Sequence, residues 1–369
     1  MKLEGFLMYA KFVQIALGNL DADNFMPSAE EWKKLYDFSR TQSIIGITYQ
    51  SLEIIYHAGQ KPPFDILMEW VATDEQIAGM NKILNEQVIN TIKELTDEDI
   101  DSCILKGQGN ATFYPNPYSR TPGDIDIWVN LKRKDLISYV KGRYDDVDVD
   151  YHHIGVTLPN NINLEFHLFP MFLHNPFKNR MLQRFFDNER KKQMEHYIQM
   201  PGTKEFFPIP TVDFNIIYQL VHMKYHYLSG GIGMRQMIDY YYVLMSDGSH
   251  NKNYVAKALR NLGLWTFAGA VMYVMKEFLG IKETYLIAPV DERRGKSLLY
   301  SIIEGGNFGT HSAFSQKRQH SVGHTRRFVD FTVNNMKLFK EYPGDIVAET
   351  IFRFVNFIRV NYYRIKYGN

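Results

Sequence analysis

Apolar and polar residues alternate along the chain with helical spacing first, strand-like spacing next and helical spacing again. Three early stretches carry apolar residues at helical intervals, namely residues 6–17, 32–55 and 64–95. Ser28 precedes the second stretch and Glu31 follows three residues later, which is the spacing of a capping box at a helix start. The polar run 96–101 then interrupts the periodicity. The pattern predicts a helical N-terminal region over residues 1–98.

Short runs of apolar and β-branched residues occupy the middle of the chain. Five of them are typical of strands: 103–105, 125–129, 147–151, 153–158 and 162–169. The turn residues Pro159, Asn160 and Asn161 predict that the last two strands form a hairpin. Residues 132–141 carry the spacing of a helix that crosses between strands. We expect residues 99–204 to form an α/β core with a small mixed sheet.

Helical spacing returns in the last third of the chain. The clearest predicted helices are 212–227 and 234–245, and further candidates are 254–262, 267–279, 329–339 and 346–367. These segments predict a helical C-terminal region over residues 205–369. The expected fold class is therefore α+β, with a small mixed-sheet core flanked by helical N- and C-terminal regions.

Composition narrows the class of protein further. A chain of 369 residues with 45% hydrophobic and 14% aromatic residues is long and apolar enough to fold. A net charge of +1 argues against a long nucleic acid as partner. The single cysteine, Cys103, excludes an intramolecular disulfide and favours a reducing compartment. Without a signal-peptide pattern or an apolar run of about 18 residues, we expect a cytoplasmic protein with no transmembrane segment.

Two aspartates in the second predicted strand are the first candidate for chemistry. Asp124 and Asp126 are two positions apart, so their carboxylates point to the same face of the strand. Two such close negative charges repel each other unless a cation lies between them. Asp-x-Asp pairs also occur in surface turns that bind nothing, and that alternative stays open for the pair alone.

A third carboxylate follows about forty residues later. Strand alternation places Glu165 and His167 on the face opposite Leu164 and Phe166. If this strand neighbours the one with the aspartate pair, Glu165 completes a three-acid cluster. Oxygen ligands of this kind suit Mg²⁺ or Mn²⁺ better than zinc. The alternative for Glu165 is a solvated strand face.

The residues before the aspartate pair include a glycine at the end of a predicted strand. Gly107 follows residues 103–105, and a glycine there lets the backbone approach a phosphate closely. Taken with the acids, this chain resembles the nucleotidyltransferase superfamily, and most of all its branch of uncharacterised nucleotidyltransferases. The resemblance covers about residues 100–245 and rests on Leu105-Lys106-Gly107, Tyr114-Pro115, Arg120, Asp124-Ile125-Asp126, Leu164-Glu165-Phe166-His167, His222-x-x-x-His226, Gly231-Ile232-Gly233 and Met234-Arg235-Gln236-x-x-Asp239.

The resemblance implies a metal-dependent transfer of a nucleoside monophosphate from a nucleoside triphosphate to an acceptor hydroxyl. The implied catalytic and metal-binding residues are Asp124, Asp126 and Glu165, with Mg²⁺ or Mn²⁺ as cofactor. The implied nucleotide-binding residues are Lys106, Gly107, Gln108, Arg120 and Arg235. The superfamily usually has serine or glycine where Gln108 stands, so Lys106, Gln108 or Asn110 would have to supply that phosphate contact. For Arg120, pairing with a nearby aspartate is an equal alternative to phosphate binding.

Three functional hypotheses follow. The first is an active nucleotidyltransferase whose acceptor is a small molecule, a protein or an RNA end. The second is a non-catalytic nucleotide-binding or interaction module with the same fold, suggested by Gln108. The third is a metal-dependent phosphohydrolase that uses the same acids. The sequence leaves open the acceptor, the nucleotide and the oligomeric state.

Features outside these motifs permit two interpretations each. His222 and His226 share a helix face, which we expect to line the cleft rather than bind zinc. The turn 229–233 could bind an anion at a helix start, although a tight connection is the favoured interpretation. The basic run 293–327 is the predicted flexible loop and a candidate site for an anionic acceptor, or a solvated surface. The aromatic and basic run 352–367 is expected to pack on the protein rather than lie on a membrane.

Overall fold

The computed structural model describes residues 3–246, 250–307, 336 and 338–367. Most of the predicted helix 329–339 and the later part of the basic run, 308–327, lie outside these residues. Where the basic run is described, the predicted loop is wrong, because Arg293 to Gly305 belong to a helix that begins at Glu292. Asp291 caps this helix by accepting a hydrogen bond from the Arg294 N–H at 3.1 Å.

Four helices form the N-terminal part: α1 (Leu3–Ala16), α2 (Ala29–Thr41), α3 (Ile45–His57) and α4 (Phe64–Asp97). The predicted capping box of α2 is confirmed. The Glu31 N–H donates to Ser28 Oγ at 3.3 Å and the Ser28 N–H donates to Glu31 Oε2 at 2.8 Å. The stretch 32–55 is two helices rather than one, because Ser43 adopts a left-handed φ of 56° between them.

A mixed five-stranded sheet follows, as predicted. Its strands are β1 (Ser102–Ile104), β2 (Ile125–Val129), β3 (Val147–Val149), β4 (His153–Leu158) and β5 (Ile162–His167), in the spatial order β1-β2-β5-β4-β3. Strands β2 and β5 are parallel, and every other pair in this sheet is antiparallel. The chain reaches α5 (Gln108–Ala111) from β1, and α6 (Arg133–Lys141) lies between β2 and β3.

Helices cover the sheet and continue to the end of the described chain. They are α7 (Pro176–Met194), α8 (Val212–Ser229), α9 (Met234–Met245), α10 (Lys252–Asn261), α11 (Trp265–Tyr273), α12 (Glu292–Gly305) and α13 (Pro343–Tyr367). A small hairpin, β6 (Tyr197–Gln199) with β7 (Phe206–Pro208), follows α7. Neither α7 nor this hairpin was predicted, although Asn175 before Pro176 is a recognisable helix start.

Helix α8 is buried on nearly all sides, and with α9 it closes the core over α5. Its Tyr218 is fully buried in the same cluster as Trp128 of β2, which fixes α8 against the sheet. Phe352 of α13 packs against the rings of His174 and Phe172, whereas Phe354, Val355 and Ile358 of the run 352–367 are each more than half exposed. Among the described residues, no helix is both long enough and apolar enough to cross a bilayer.

Candidate active site

Parallel pairing of β2 and β5 places the second aspartate directly beside the glutamate. Asp126 and Glu165 are register partners, and both face the same side of the sheet as His167. Lys106 Nζ lies 2.9 Å from Asp126 Oδ1, and His167 Nε2 lies 3.0 Å from the same oxygen. His167 Nε2 is also 3.3 Å from Glu165 Oε2. The expected neighbourhood of the two strands is confirmed, with Lys106 and His167 added to the acids.

The charges in this cluster set the protonation of its members. Burial alone would raise the pKa of Asp126, but Lys106 and His167 outweigh it and hold that pKa well below its usual range. Burial likewise acts against ionised Glu165, whose pKa is nevertheless lowered by the hydrogen bond from His167. His167 shows the reverse balance: burial lowers its pKa, and the two carboxylates raise it above the ordinary value. Both carboxylates are therefore ionised at neutral pH.

Asp124 stands apart from this cluster. Its side chain is exposed one position before β2, where Asn163 Nδ2 donates to Asp124 Oδ1 at 3.4 Å. Desolvation by the surrounding protein, followed by the charges of Asp126 and Glu165, raises the pKa of Asp124. Over the described residues, two sets of three metal-ligating side chains converge within 4.8 Å, and Asp124 belongs to neither. The structure thus brings Asp126 and Glu165 together and leaves Asp124 at the rim.

These pKa shifts predict a pH-dependent contribution to stability. The raised pKa of His167 means that its contribution is complete below about pH 6.5 and is lost as pH rises through the folded-state value. The lowered pKa of Asp126 means that its contribution is complete above about pH 3.9 and is lost in stronger acid. In EDTA, His167→Gln should therefore lower the free energy of unfolding more at pH 5.5 than at pH 9, measured by urea titration. An equal loss at both pH values would contradict this assignment.

The turn between β1 and α5 requires glycine for steric reasons. Gly107 has φ 57° and ψ −115°, a conformation that side chains rarely adopt, and a Cβ there would lie 3.1 Å from the Asp124 carbonyl oxygen. The close approach holds the turn against the start of β2. Phosphate binding by this turn stays a prediction.

Replacing this glycine should disturb both stability and the site. Gly107→Ala is expected to lower the free energy of unfolding by about 1–3 kcal/mol, from the strained conformation and the contact with Asp124. Gly59→Ala is the matched control, since Gly59 also has a positive φ of 83° but a Cβ there meets nothing within 4 Å. Urea titration of both variants measures the difference. Equal losses in the two variants would show that the approach to Asp124 does not matter.

Gln108 does not place its side chain in the pocket. Its Nε2 donates to Asn85 Oδ1 at 2.5 Å and to Asn81 Oδ1 at 3.3 Å, both on α4. The amide therefore fixes the turn to the N-terminal helices instead of replacing the usual serine. Asn110 does face the pocket, where its Oδ1 accepts hydrogen bonds from Asn215 at 3.0 Å and Gln219 at 3.4 Å.

Arg120 adopts the alternative that the sequence left open, as the partner of an aspartate. Its Nε and Nη2 donate to the two oxygens of Asp239 at 2.8 and 2.9 Å, and Tyr114 Oη donates to Asp239 at 2.6 Å. All three side chains are buried. Burial would raise the pKa of Asp239, but Arg120 lowers it below its usual range. This triad fastens the loop before β2 to helix α9.

Arg235, also on α9, points to the loop that precedes the aspartate pair. Its Nη1 donates to the carbonyls of Thr121 at 3.3 Å and Pro122 at 2.9 Å. Burial, followed by the charge of Arg120, lowers the pKa of Arg235. The start of α9 is tightly packed: the Gly233 N–H donates to Gln236 Oε1 at 2.8 Å, as favoured for a tight connection.

Lysine, arginine and acidic side chains surround an open pocket with a cavity volume of about 50 Å³. Its lining includes Lys106, Gly107, Asp124, Asp126 and Arg235. His222 lies in this wall with its Nε2 3.1 Å from Lys106 Nζ, as expected for the polar face of α8. Burial lowers the pKa of His226 to about 4, and the positive charge of Lys106 adds to this decrease.

Sequence reasoning missed the meeting of three histidines on the other side of the acids. His152, His153 and His167 form the second convergent set, and only His167 had been noted, without a role. The predicted hairpin of β4 and β5 could have revealed that two of these histidines are neighbours. Pairing across the turn 159–161 places His153 opposite His167, as observed.

Fold and site together have the form of a nucleotidyltransferase: a glycine turn after one strand, acids on the next strand, and a third carboxylate on a parallel neighbour. The chain matches the family model described as uncharacterised nucleotidyltransferase over residues 28–280. It belongs to that family. No curated protein matches the chain. Among solved structures, it is similar to an antigenic nucleotidyltransferase-like protein from Paracoccidioides brasiliensis, with 11% identity and a TM-score of 0.36, over 57% of this chain and 95% of that one.

Proposed function

We propose that the protein is a metal-dependent nucleotidyltransferase that moves a nucleoside monophosphate from a nucleoside triphosphate to an acceptor hydroxyl. The observation that carries the proposal is the convergence of Lys106, Asp126 and Glu165 beside the Gly107 turn, at an open pocket that Lys106, Gly107 and Asp126 line. Family membership supports a nucleotide substrate.

The donor set fits a hard divalent cation. Asp126 already attracts the Lys106 ammonium, and Asp124 has its pKa raised by partial desolvation and by the nearby negative charges, a repulsion that a cation would relieve. In the proposed enzyme, Asp124, Asp126 and Glu165 would hold Mg²⁺ or Mn²⁺ through oxygen ligands. Bound there, the metal neutralises triphosphate charge and lowers the pKa of the acceptor hydroxyl.

Cationic side chains and the glycine turn supply the rest of the nucleotide site. Lys106 is partly solvent-accessible, with 22% of its side chain exposed, so its ammonium can contact a phosphate in the pocket. Backbone N–H groups of the Gly107 turn can donate to phosphate oxygens. Arg235 lies at the pocket wall and adds positive charge. Arg120 acts as a positioning residue, because its guanidinium is bound to Asp239.

In the proposed reaction, the acceptor oxygen attacks the α-phosphorus, and the bond from that phosphorus to the bridging oxygen breaks. Pyrophosphate leaves with that oxygen. Glu165 is ionised, since His167 lowers its pKa, and can therefore accept the proton of the hydroxyl. Positioning and neutralisation of charge account for most of the catalysis in such transfers.

The second candidate is a non-catalytic nucleotide-binding module. One observation favours this candidate: Lys106 and His167 already contact the Asp126 carboxylate and neutralise its charge. Incubation with Mg²⁺ and triphosphates labelled in the α or γ position separates the candidates. Transfer leaves the α label on an acceptor, hydrolysis leaves it on free nucleotide, and a binding module leaves the triphosphate intact. Extracts fractionated by size provide the acceptors, and Asp126→Asn serves as the inactive control.

A further inference from the structure

Three imidazoles meet on one side of the acids, at the start of β4 and the end of β5. The ring centroids of His152, His153 and His167 form a nearly equilateral triangle with sides of 4.6, 5.3 and 5.3 Å. His153 and His167 are register partners, and His152 directly precedes β4. Backbone pairing therefore holds all three rings in place.

From this geometry we infer a second cation site, in which His152, His153 and His167 bind one divalent transition-metal ion such as Zn²⁺. The inference concerns nitrogen ligands that the proposed nucleotide site does not use, and it stands independently of nucleotidyl transfer. Imidazole ligands select transition metals, whereas Mg²⁺ takes oxygen ligands.

The distances match such an ion. His153 Nδ1 lies 3.4 Å from His152 Nε2, and zinc–nitrogen distances of about 2.0–2.1 Å place two tetrahedral ligand nitrogens about 3.3–3.4 Å apart. Glu165 Oε2 lies 3.7 Å from His153 Nδ1 and 3.3 Å from His167 Nε2, but of these four residues only the three histidines converge within 4.8 Å of one another, so Glu165 borders the site without belonging to it. Asp126 is less available, because Lys106 already contacts it at 2.9 Å.

The hydrogen bonding of the rings points the same way. Nδ1 of His152 and Nδ1 of His167 are buried, and neither has a hydrogen-bond partner in the part of the chain that the structure describes. Buried polar nitrogens are nearly always paired in folded proteins, so these two rings are not satisfied by the polypeptide alone. A cation bound through Nδ1 of His167 would give that nitrogen a partner and leave the Nε2–H group donating to the carboxylates, which is the usual arrangement of a metal-binding histidine.

The surroundings favour retention of an ion once it has bound. Phe172 and Phe169 lie 5.3 and 6.3 Å from His152, measured between ring centroids, and form an apolar wall on that side. Such a shell excludes water and strengthens the attraction between an ion and its ligands. Glu165 lies between the histidines and Asp126, so this site would adjoin the proposed Mg²⁺ site.

Cobalt titration of the full-length, EDTA-stripped protein tests the inference, because tetrahedral Co²⁺ shows strong visible absorption. We expect one equivalent of Co²⁺ to bind with that spectrum and to be displaced by Zn²⁺. His152→Gln and His153→Gln should each weaken binding more than about 100-fold, since they remove direct ligands. His57→Gln, at an exposed position on α3, is the matched control and should bind as the wild type does.

Asp124→Asn separates this site from the nucleotide site. It should retain Co²⁺ while losing Mg²⁺-dependent triphosphate binding, so the two proposals can fail separately. Absence of Co²⁺ and Zn²⁺ binding by the wild-type protein would overturn the inference, whatever the variants do. If the His152 and His153 variants bind Co²⁺ as tightly as the wild type and show unchanged circular dichroism, the inference is also overturned.

Discussion

Replacing Asp239 by alanine is expected to lower the free energy of unfolding by about 3–5 kcal/mol, because it leaves a buried arginine without its partner. Arg120 is 5% exposed and makes both of its short charged hydrogen bonds to Asp239. The variant also removes the acceptor for the buried Tyr114 hydroxyl. Urea unfolding followed by circular dichroism measures the loss.

The surface pair of Asp37 and Arg40 is the matched control. These side chains are 52% and 66% exposed and lie 3.5 Å apart, so Asp37→Ala should change stability by less than about 1 kcal/mol. A loss of similar size in both variants would refute the view that the triad fastens the loop before β2 to α9. If the triad does so, the melting transition of Asp239→Ala should also be recovered in part by Arg120→Met in the same chain.

Replacing Asp126 by asparagine is expected to reduce nucleotidyl transfer at least about 1000-fold, since it removes a charged group at the centre of the proposed site. Asparagine keeps the size of the side chain while it removes the charge that Lys106 and His167 both contact. Release of pyrophosphate from the labelled triphosphate, with the acceptor identified as above, measures the rate.

Asp148→Asn provides the control, because Asp148 is an exposed aspartate in β3 of the same sheet. Its rate should equal that of the wild type. Comparable activity in Asp126→Asn and the wild type would show that this carboxylate is not part of the catalytic machinery. A thermal melt of each variant separates loss of chemistry from loss of the fold.

Local patterns were sufficient to predict the sheet and the neighbourhood of Asp126 and Glu165, although not the position of Asp124 outside their cluster. Alternation in β2 placed Asp124 and Asp126 on one face, and the runs in β4 and β5 predicted the hairpin. These inferences depend only on neighbouring residues. The predicted hairpin of β4 and β5 also implies that His153 lies opposite His167, so this contact could have been predicted from the sequence.

Contacts between distant parts of the chain could not be predicted in this way. The pair of Arg120 and Asp239 joins residues 119 positions apart, and the sequence offered each of them several partners. The direction of Gln108 depends on where Asn85 and Asn81 of α4 lie, which is a property of packing. Whether a polar side chain lines a pocket or fixes a turn is decided by such tertiary neighbours.

Calorimetric titration of nucleotide in the presence of Mg²⁺ tests the central claim most directly. The wild-type protein and Asp124→Ala/Asp126→Ala are each titrated with the four ribonucleoside triphosphates. The account predicts that the wild type binds at least one triphosphate only when Mg²⁺ is present, and that the double variant loses this binding while it stays folded. Equal Mg²⁺-dependent binding by the two proteins would contradict the assignment of metal and nucleotide to strand β2.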